Sequence, residues 1–442
     1  MLYRKITEII ENELKTNNES ILVVEGARQV GKSTTIRDIG KRLYKEHYVE
    51  IDMLEDSVGD RLFANVKTVE DFYFQLGIYA GEKLDTKENT LVFIDEVQVY
   101  PELLTLFKFL NKDNKYKYIA SGSLLGVALA ETSSIPMGSI KKIRMYPMDF
   151  EEFLYANRIS EDTIAELRKK FDSLTSLDES SHNKFIKLFK MYLLIGGLPE
   201  AVQSYVKDFN IKKIRTIHDN IDEYYKVDAS KYDKERKLKI KKIYSMIPSN
   251  LESKKKRVVI QNIDNVRGKT YSQYLDEFDY LINSGIALDV NAITDPSFPL
   301  VHSSTKNLLK LYLNDSGLLS NIFFKNNENA VLDDKLSINL GSLYENAVAS
   351  ELKAHNHLLY YYDRRKIGEI DYLIDDYDNT CPLPLEVKSG KDYSSHSALN
   401  RLLTIDEYKI KKAYVLSNNR ECKRDEKNNK CIYIPIYYIM FL

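Results

Sequence analysis

The sequence predicts an α/β protein: a parallel sheet with flanking helices near the N-terminus, a helical middle, and a second α/β module at the C-terminus. Three observations carry that reading. The apolar run Ile21-Leu22-Val23-Val24 passes through a glycine-bearing turn into a segment with Ile36, Ile39 and Leu43 at helical spacing. A second apolar run, Leu91-Val92-Phe93-Ile94, ends in Asp95-Glu96. A buried parallel strand delivers carboxylates in this way to the sheet edge where ligands bind. Beyond residue 340 the pattern changes to four short β-rich runs, 358–362, 369–374, 383–388 and 413–416.

Taken in order, residues 4–17 place Ile6, Ile9, Ile10 and Leu14 on one face of an amphipathic helix. Next comes Gly26-Ala27-Arg28-Gln29-Val30-Gly31-Lys32-Ser33-Thr34, which contains the pattern G-x-x-x-x-G-K-[ST]. The glycines permit a tight loop whose backbone N–H groups turn inward around phosphate oxygens, and the helix that follows adds its positive dipole end. Lys32 can then reach the β- and γ-phosphates, and the Ser33 hydroxyl can ligate Mg²⁺. A second strand is expected at 48–52 and largely helical structure over 56–88. Asp95 lies 62 residues after Ser33; it is expected to hold the Mg²⁺, and Glu96 to polarise the attacking water. A further strand, Tyr116 to Ala120, runs into Ser121-Gly122-Ser123. A hydroxyl there either reports on the γ-phosphate or caps a helix. ATP is favoured over GTP, because Asn111-Lys112-Asp113 falls one residue short of the guanine-specific N-K-x-D element.

Composition narrows the classes. Lys and Arg total 64 against 65 Asp and Glu, so a global polyanion-binding charge is absent and any basic site is local. The three cysteines, Cys381, Cys422 and Cys431, show no metal-ligand spacing and fit a reducing compartment. The charged N-terminus does not read as a signal peptide, and the longest apolar run, 432–442, contains Pro435. A cytoplasmic protein is expected.

From the phosphate loop through 91–98 and Ser121-Gly122-Ser123 to Tyr146-Pro147-Met148-Asp149-Phe150-Glu151-Glu152-Phe153-Leu154, the chain resembles AAA-type (AAA_14) ATPases of bacteria and archaea that carry a DUF4143 region. Gly196-Gly197-Leu198-Pro199-Glu200-Ala201 and the run from Lys310 to Leu319 extend the resemblance in family order. It implies an ATPase core, a helical and winged-helix middle, and a restriction-endonuclease-like C-terminal module. The corresponding divisions are 1–155, 156–320 and 321–442. Ser33 stands where such proteins often carry Thr. Arg144 and Arg158 are candidates for an arginine finger by position alone.

In the middle, ten Lys or Arg face two Glu between residues 234 and 257. The run is either a contact for nucleic-acid phosphates or a solvated helix face. A helix over 270–283 followed by a strand at 286–290 fits a winged-helix unit. At the C-terminus, Glu345, Asp371, Glu386 and Lys388 stand in the order of the PD-(D/E)XK nuclease pattern. Glu386 and Lys388 are two apart on a strand and emerge on one face. Asp371 on a neighbouring strand and Glu345 on a helix would complete a metal's oxygen shell, with Lys388 acting on the attacking water or the transition-state charge. The alternative is a salt-bridge cluster on a solvated sheet. Together these features lead to the expectation of a Mg-ATP hydrolase coupled to a nuclease-like module acting on DNA; the rival is an ATP-dependent switch whose partner is a protein and whose nuclease fold is inert.

Overall fold

The computed structural model describes residues 2–16, 20–123, 138–228, 234–325, 327–332, 340–390 and 393–442. They fall into two compact units. The first is Met1–Tyr146 with Asn283–Gly285, and the second is Pro147–Ile282 with Ile286–Leu442. No helix among the described residues is long and apolar enough to cross a membrane.

The first unit is built on five parallel strands: β1 (Ile21–Glu25), β2 (Tyr48–Asp52), β3 (Leu91–Asp95), β4 (Lys117–Gly122) and β5 (Ile140–Arg144). Their spatial order is β2-β3-β4-β1-β5. β1 and β3 are buried along their apolar residues, as their continuous hydrophobic runs require. Edge strand β5, Ile140-Lys141-Lys142-Ile143-Arg144, has no fully buried residue. Helices Lys32–Tyr44, Val69–Ala80 and Pro101–Asp113 supply Ile36, Ile39, Phe72, Leu76, Leu103, Leu104 and Phe107 to the interior. The stretch 56–88, expected to be largely helical, is entered by helix Met53–Val58 and holds helix Val69–Ala80. Met53–Val58 begins at Asp52, whose carboxylate accepts from the N–H groups of Leu54 and Glu55. Val69–Ala80 begins at a reciprocal cap between Thr68 and Asp71.

The second unit carries an eight-stranded mixed sheet of order β12-β13-β11-β10-β9-β8-β6-β7. Its strands are β6 (Ala287–Ile293), β7 (Ser304–Leu313), β8 (Tyr360–Arg364), β9 (Gly368–Asp376), β10 (Cys381–Lys388), β11 (Ala413–Ser417), β12 (Lys423–Arg424) and β13 (Cys431–Pro435). The strand expected at 286–290 is β6, and it pairs in parallel with β8 as well as antiparallel with β7. A division at 320/321 therefore runs through one continuous sheet. Helix Gly341–Ala354 packs on β10 with eleven of its residues buried. Before the sheet come helices Glu161–Asp172, Glu179–Ile195, Pro199–Lys207, Ile211–Asp228 and Lys234–Glu252.

The turn Gly196-Gly197-Leu198-Pro199 packs against Asp315, which is 2% exposed. Asp315 Oδ2 accepts from the Gly197 N–H at 2.6 Å, and Oδ1 accepts from the Leu318 N–H at 3.1 Å, capping helix Ser316–Phe324. Gly197 also returns its carbonyl to the Met148 N–H at 2.7 Å. A Cβ on Gly197 would lie 2.0 Å from the Met148 carbonyl oxygen. Gly197→Ala is expected to destabilise the second unit by about 2–4 kcal/mol, read as a lowered unfolding midpoint in urea.

Candidate functional site

The phosphate loop connects β1 to helix Lys32–Tyr44, and its backbone needs its glycines. Gly31 is the helix N-cap at φ +98°. Gly26 has φ +152°, and a Cβ there would lie 2.2 Å from the Met145 carbonyl oxygen. Gln29 also takes a left-handed φ of +66°. Ala27 and Val30 are buried. The first turn of the helix carries no acidic side chain, so the positive dipole end is not locally neutralised. Lys32 is 5% exposed, and its Nζ donates to the carbonyls of Gly26 at 2.9 Å and Ala27 at 2.8 Å. Arg28 and Thr34 belong to the same loop and first turn.

Strand order sets what faces the loop. Because β4 lies between β1 and β3, its C-terminal end brings Ser121 between the loop and Asp95. The Ser121 hydroxyl donates to Asp95 Oδ1, and the Ser33 side chain also bonds to this carboxylate. Asp95 is 4% exposed, and burial pushes its pKa upward against the lowering effect of those two hydroxyls. Glu96 follows at φ +52°, a left-handed conformation that turns the chain sharply at the strand end. Its Oε2 accepts from Gln98 Nε2, which lies 3.5 Å from Ser123 Oγ. Gln98 Oε1 is buried and has no hydrogen-bond partner among the described residues.

Two residues of this site escape a motif reading. Gln98 sits two positions beyond the acidic pair, where its contact with Ser123 depends on the β3–β4 neighbourhood. Arg4 is 5% exposed and donates to the carbonyls of Val30 and Tyr146, each at 2.7 Å. It thereby fixes the outer limb of the loop from the N-terminal segment. Arg144 ends β5 opposite Glu25, with Nε 3.4 Å from Glu25 Oε1 and Nη2 donating to the Asn283 carbonyl at 2.7 Å. Arg158 belongs to the second unit, just past helix Phe150–Ala156.

The C-terminal acids lie on neighbouring elements of the second unit. Pairing of Leu385 with Tyr372 places Asp371 and Glu386 at the next step of the β9–β10 ladder, and Asp371 Oδ2 accepts from the Val387 N–H at 2.9 Å. Glu386 Oε1 pairs with Lys388 Nζ at 2.9 Å, while its Oε2 is buried without a partner among the described residues. Glu345 Oε2 accepts from Tyr312 OH at 3.1 Å, and its Oε1 pairs with Lys256. Burial first, and then the neighbouring Asp371 charge, hold the Glu345 and Glu386 carboxyls above the usual carboxylate range. Glu386 is 6% exposed and Leu385 is fully buried, so β10 is covered on both faces rather than solvated on one. Glu345, Asp371 and Glu386 are not a ready-made three-ligand set: among the described residues, His396, Asp425 and Cys431 are the group whose ligand atoms all lie within 4.8 Å of one another.

The basic run is partly consumed inside the unit. Lys256 pairs with Glu345, and Arg257 with Asp363 at 2.5 Å. Lys254 and Lys255 are exposed; the side chains of residues 234–237 lie outside the described set.

Three family models match successive stretches of the chain. The AAA_14 family, an AAA domain, matches residues 18–154. Two families described as domains of unknown function, DUF8612 and DUF4143, match 186–329 and 340–437. An uncharacterized protein of Haemophilus influenzae is 23% identical over 189 residues, which span 42% of each chain. Among solved structures, the Walker-type ATPase PABY2304 of Pyrococcus abyssi aligns with 72% of this chain and 95% of its own, at 16% identity and a TM-score of 0.42. The ORC1 protein of Aeropyrum pernix, solved in complex with DNA, covers 75% and 91% at 12% identity and a TM-score of 0.32. AMPPCP-bound DnaA of Aquifex aeolicus covers 54% and 77% at 14% identity and a TM-score of 0.29. With its phosphate loop at 26–33 and its acidic pair at the end of β3, the segment 18–154 is similar to AAA domains and carries the residue pattern of a P-loop ATPase.

Proposed function

We propose that this protein hydrolyses Mg-ATP at the phosphate loop and uses the cycle to control a restriction-endonuclease-like site in its second unit, whose target is DNA. The observation that carries the ATPase half is the convergence of Ser33 and Ser121 on the buried Asp95 carboxylate beside the loop. Lys32 leaves the loop carbonyls to bind the β- and γ-phosphates, and the inward N–H groups of residues 27–34 cradle the remaining oxygens. Ser33 and Asp95 are the residues that would hold Mg²⁺, which supplies charge neutralisation on the phosphates. Glu96 orients the attacking water and takes its proton. Gln98, anchored toward Ser123, fixes the Glu96 carboxylate in that pose.

Lys32→Ala is expected to lower ATP affinity at least about tenfold, measured by nucleotide titration. Glu96→Gln should keep binding and lose about 10²–10⁴-fold in kcat. Gln98→Ala should lose about tenfold in kcat with KM nearly unchanged. A raised KM at constant kcat would place Gln98 in nucleotide binding instead.

For the second unit the supporting observation is the unpartnered, buried Glu386 Oε2 next to Lys388 and Asp371. Asp371, Glu386 and Glu345 are the residues that would hold a divalent cation, whose chemistry is to activate water against a phosphodiester. Lys388 would stabilise the charge that develops on the phosphate. Helix Leu275–Asn283 followed by the β6–β7 hairpin has a winged-helix-like order, and the exposed Lys254 and Lys255 offer phosphate contacts. The test is Mg²⁺-dependent cleavage of single- and double-stranded DNA, with and without ATP. Cleavage by the wild type that disappears in both Asp371→Ala and Lys388→Ala is the expected result.

A second reading is favoured by one feature: Lys256 is already paired with Glu345, and Lys388 with Glu386. On this reading the nuclease-like fold is inert, and the ATPase is a switch for a protein partner. Intact ATP hydrolysis with no cleavage of either DNA would establish it. The pH dependence follows from the raised Glu386 carboxyl. Its proton must leave before a cation binds, so divalent-cation affinity in the second unit should rise with pH through that titration. Isothermal titration at several pH values, with Glu386→Gln as the insensitive control, measures this.

A further inference from the structure

We propose that His396, Asp425 and Cys431 form a binding site for a borderline-soft divalent cation of the Zn²⁺ class, separate from both sites above. The three residues come from three segments. His396 precedes helix Ser397–Leu403, Asp425 follows β12, and Cys431 opens β13. Backbone pairing brings the last two together, since the Asp425 N–H donates to the Cys431 carbonyl at 2.9 Å. One ligand atom from each residue lies within 4.8 Å of the others.

A second observation points to a ligand. His396 is 3% exposed, and its ring is shielded from water; the Asn400 side chain lies beside it, but Nδ1 makes no close hydrogen bond among the described residues. Its Nε2 lies 2.8 Å from Tyr433 OH, which donates to Asp425 Oδ2 at 2.7 Å. Tyr433 is two residues beyond Cys431 on β13 and so projects from the same face. Its hydroxyl bridges two of the three ligands, which is the place of a fourth donor or of a second-shell hydrogen bond to the histidine. Asp425 Oδ1 accepts from the N–H groups of Lys427 and Asn428, which fix the carboxylate from behind.

The donor set selects the ion. One imidazole nitrogen, one carboxylate oxygen and one sulfur suit a tetrahedral Zn²⁺ site and are a poor set for Mg²⁺ or Ca²⁺, which take oxygen ligands. Metal–ligand bonds of about 2.0–2.3 Å put tetrahedral donors roughly 3.3–3.8 Å apart, so the three donors, which lie within 4.8 Å of one another, draw together by about 1 Å on binding. The proton balance is simple: the cation binds a neutral imidazole and an ionised carboxylate, and displaces the Cys431 thiol proton into solvent. Bound metal would tie helix Ser397–Leu403 to the β12–β13 edge of the eight-stranded sheet.

The full-length protein, stripped with EDTA and kept in excess Mg²⁺ without nucleotide, is titrated with Co²⁺ and then with Zn²⁺. Excess Mg²⁺ competes for oxygen-ligand sites, and a thiolate band reports sulfur ligation alone, so ATP-site occupancy does not enter the readout. One equivalent of Co²⁺ should give a thiolate-to-metal charge-transfer absorption that Zn²⁺ displaces. The band should vanish in Cys431→Ser, persist in Cys422→Ser and Cys381→Ser, and need at least about tenfold more Co²⁺ in Asp425→Asn. Should Cys431→Ser fail to fold, Asp425→Asn, a change at a partly exposed turn, carries the test with Cys422→Ser as control. Absence of the band in wild type, its survival in Cys431→Ser, or an unchanged Co²⁺ requirement in Asp425→Asn would overturn the proposal.

Discussion

A carboxylate taken out of water at the end of a strand must find donors or keep its proton, and both units are arranged around that requirement. Asp95 finds the hydroxyls of Ser33 and Ser121. Asp315 finds backbone N–H groups, and burial still pushes its carboxyl up to about 6. Glu345 and Glu386 find lysines, yet burial and the neighbouring Asp371 keep them raised. The difference is functional. Small neutral hydroxyls leave room for a cation and its phosphates, whereas an ammonium already occupies much of the charge that a cation would bring. In the first unit the buried acid thus faces neutral partners, whereas in the second the buried acids face ammonium groups.

What the sequence made legible follows from how local each signal is. The phosphate loop, β1 and β3 are written in contiguous residues, and the glycines at 26 and 31 take the left-handed backbone that such a loop needs. The same holds for Glu386 and Lys388, two apart on β10. Contacts set by strand order were not legible. That Ser121 reaches Asp95 depends on β4 lying between β1 and β3, which no spacing reveals. Lys256 reaches Glu345 across 89 residues. β5 escaped because its lysines and arginine read as polar, although an edge strand tolerates them. The strand expected at 286–290 reads as part of a local winged-helix unit because its parallel partner, β8, begins 47 residues after β7 ends.

The cysteines illustrate the same limit. Cys431 has no neighbour at metal-ligand spacing, and counting thiols alone makes it an ordinary buried residue. His396 and Asp425 come close to it only because β12 and β13 pair at the sheet edge and helix Ser397–Leu403 begins beside them. Chemistry gathered from three separated segments is invisible to a motif and plain in a folded sheet.

Asn283–Gly285 belongs to the first unit while the residues on both sides belong to the second. Its Asn283 carbonyl receives Arg144 at the end of β5, and a Cβ on Gly285 would lie 3.1 Å from the Ala27 nitrogen in the phosphate loop. The polypeptide accordingly passes between the units at 146/147, 282/283 and 285/286. No single cut, whether by a protease, a stop codon or a recombination breakpoint, excises the nucleotide-binding unit whole. Truncation after Tyr146 takes away Asn283 and Gly285, which lie against β5 and the loop.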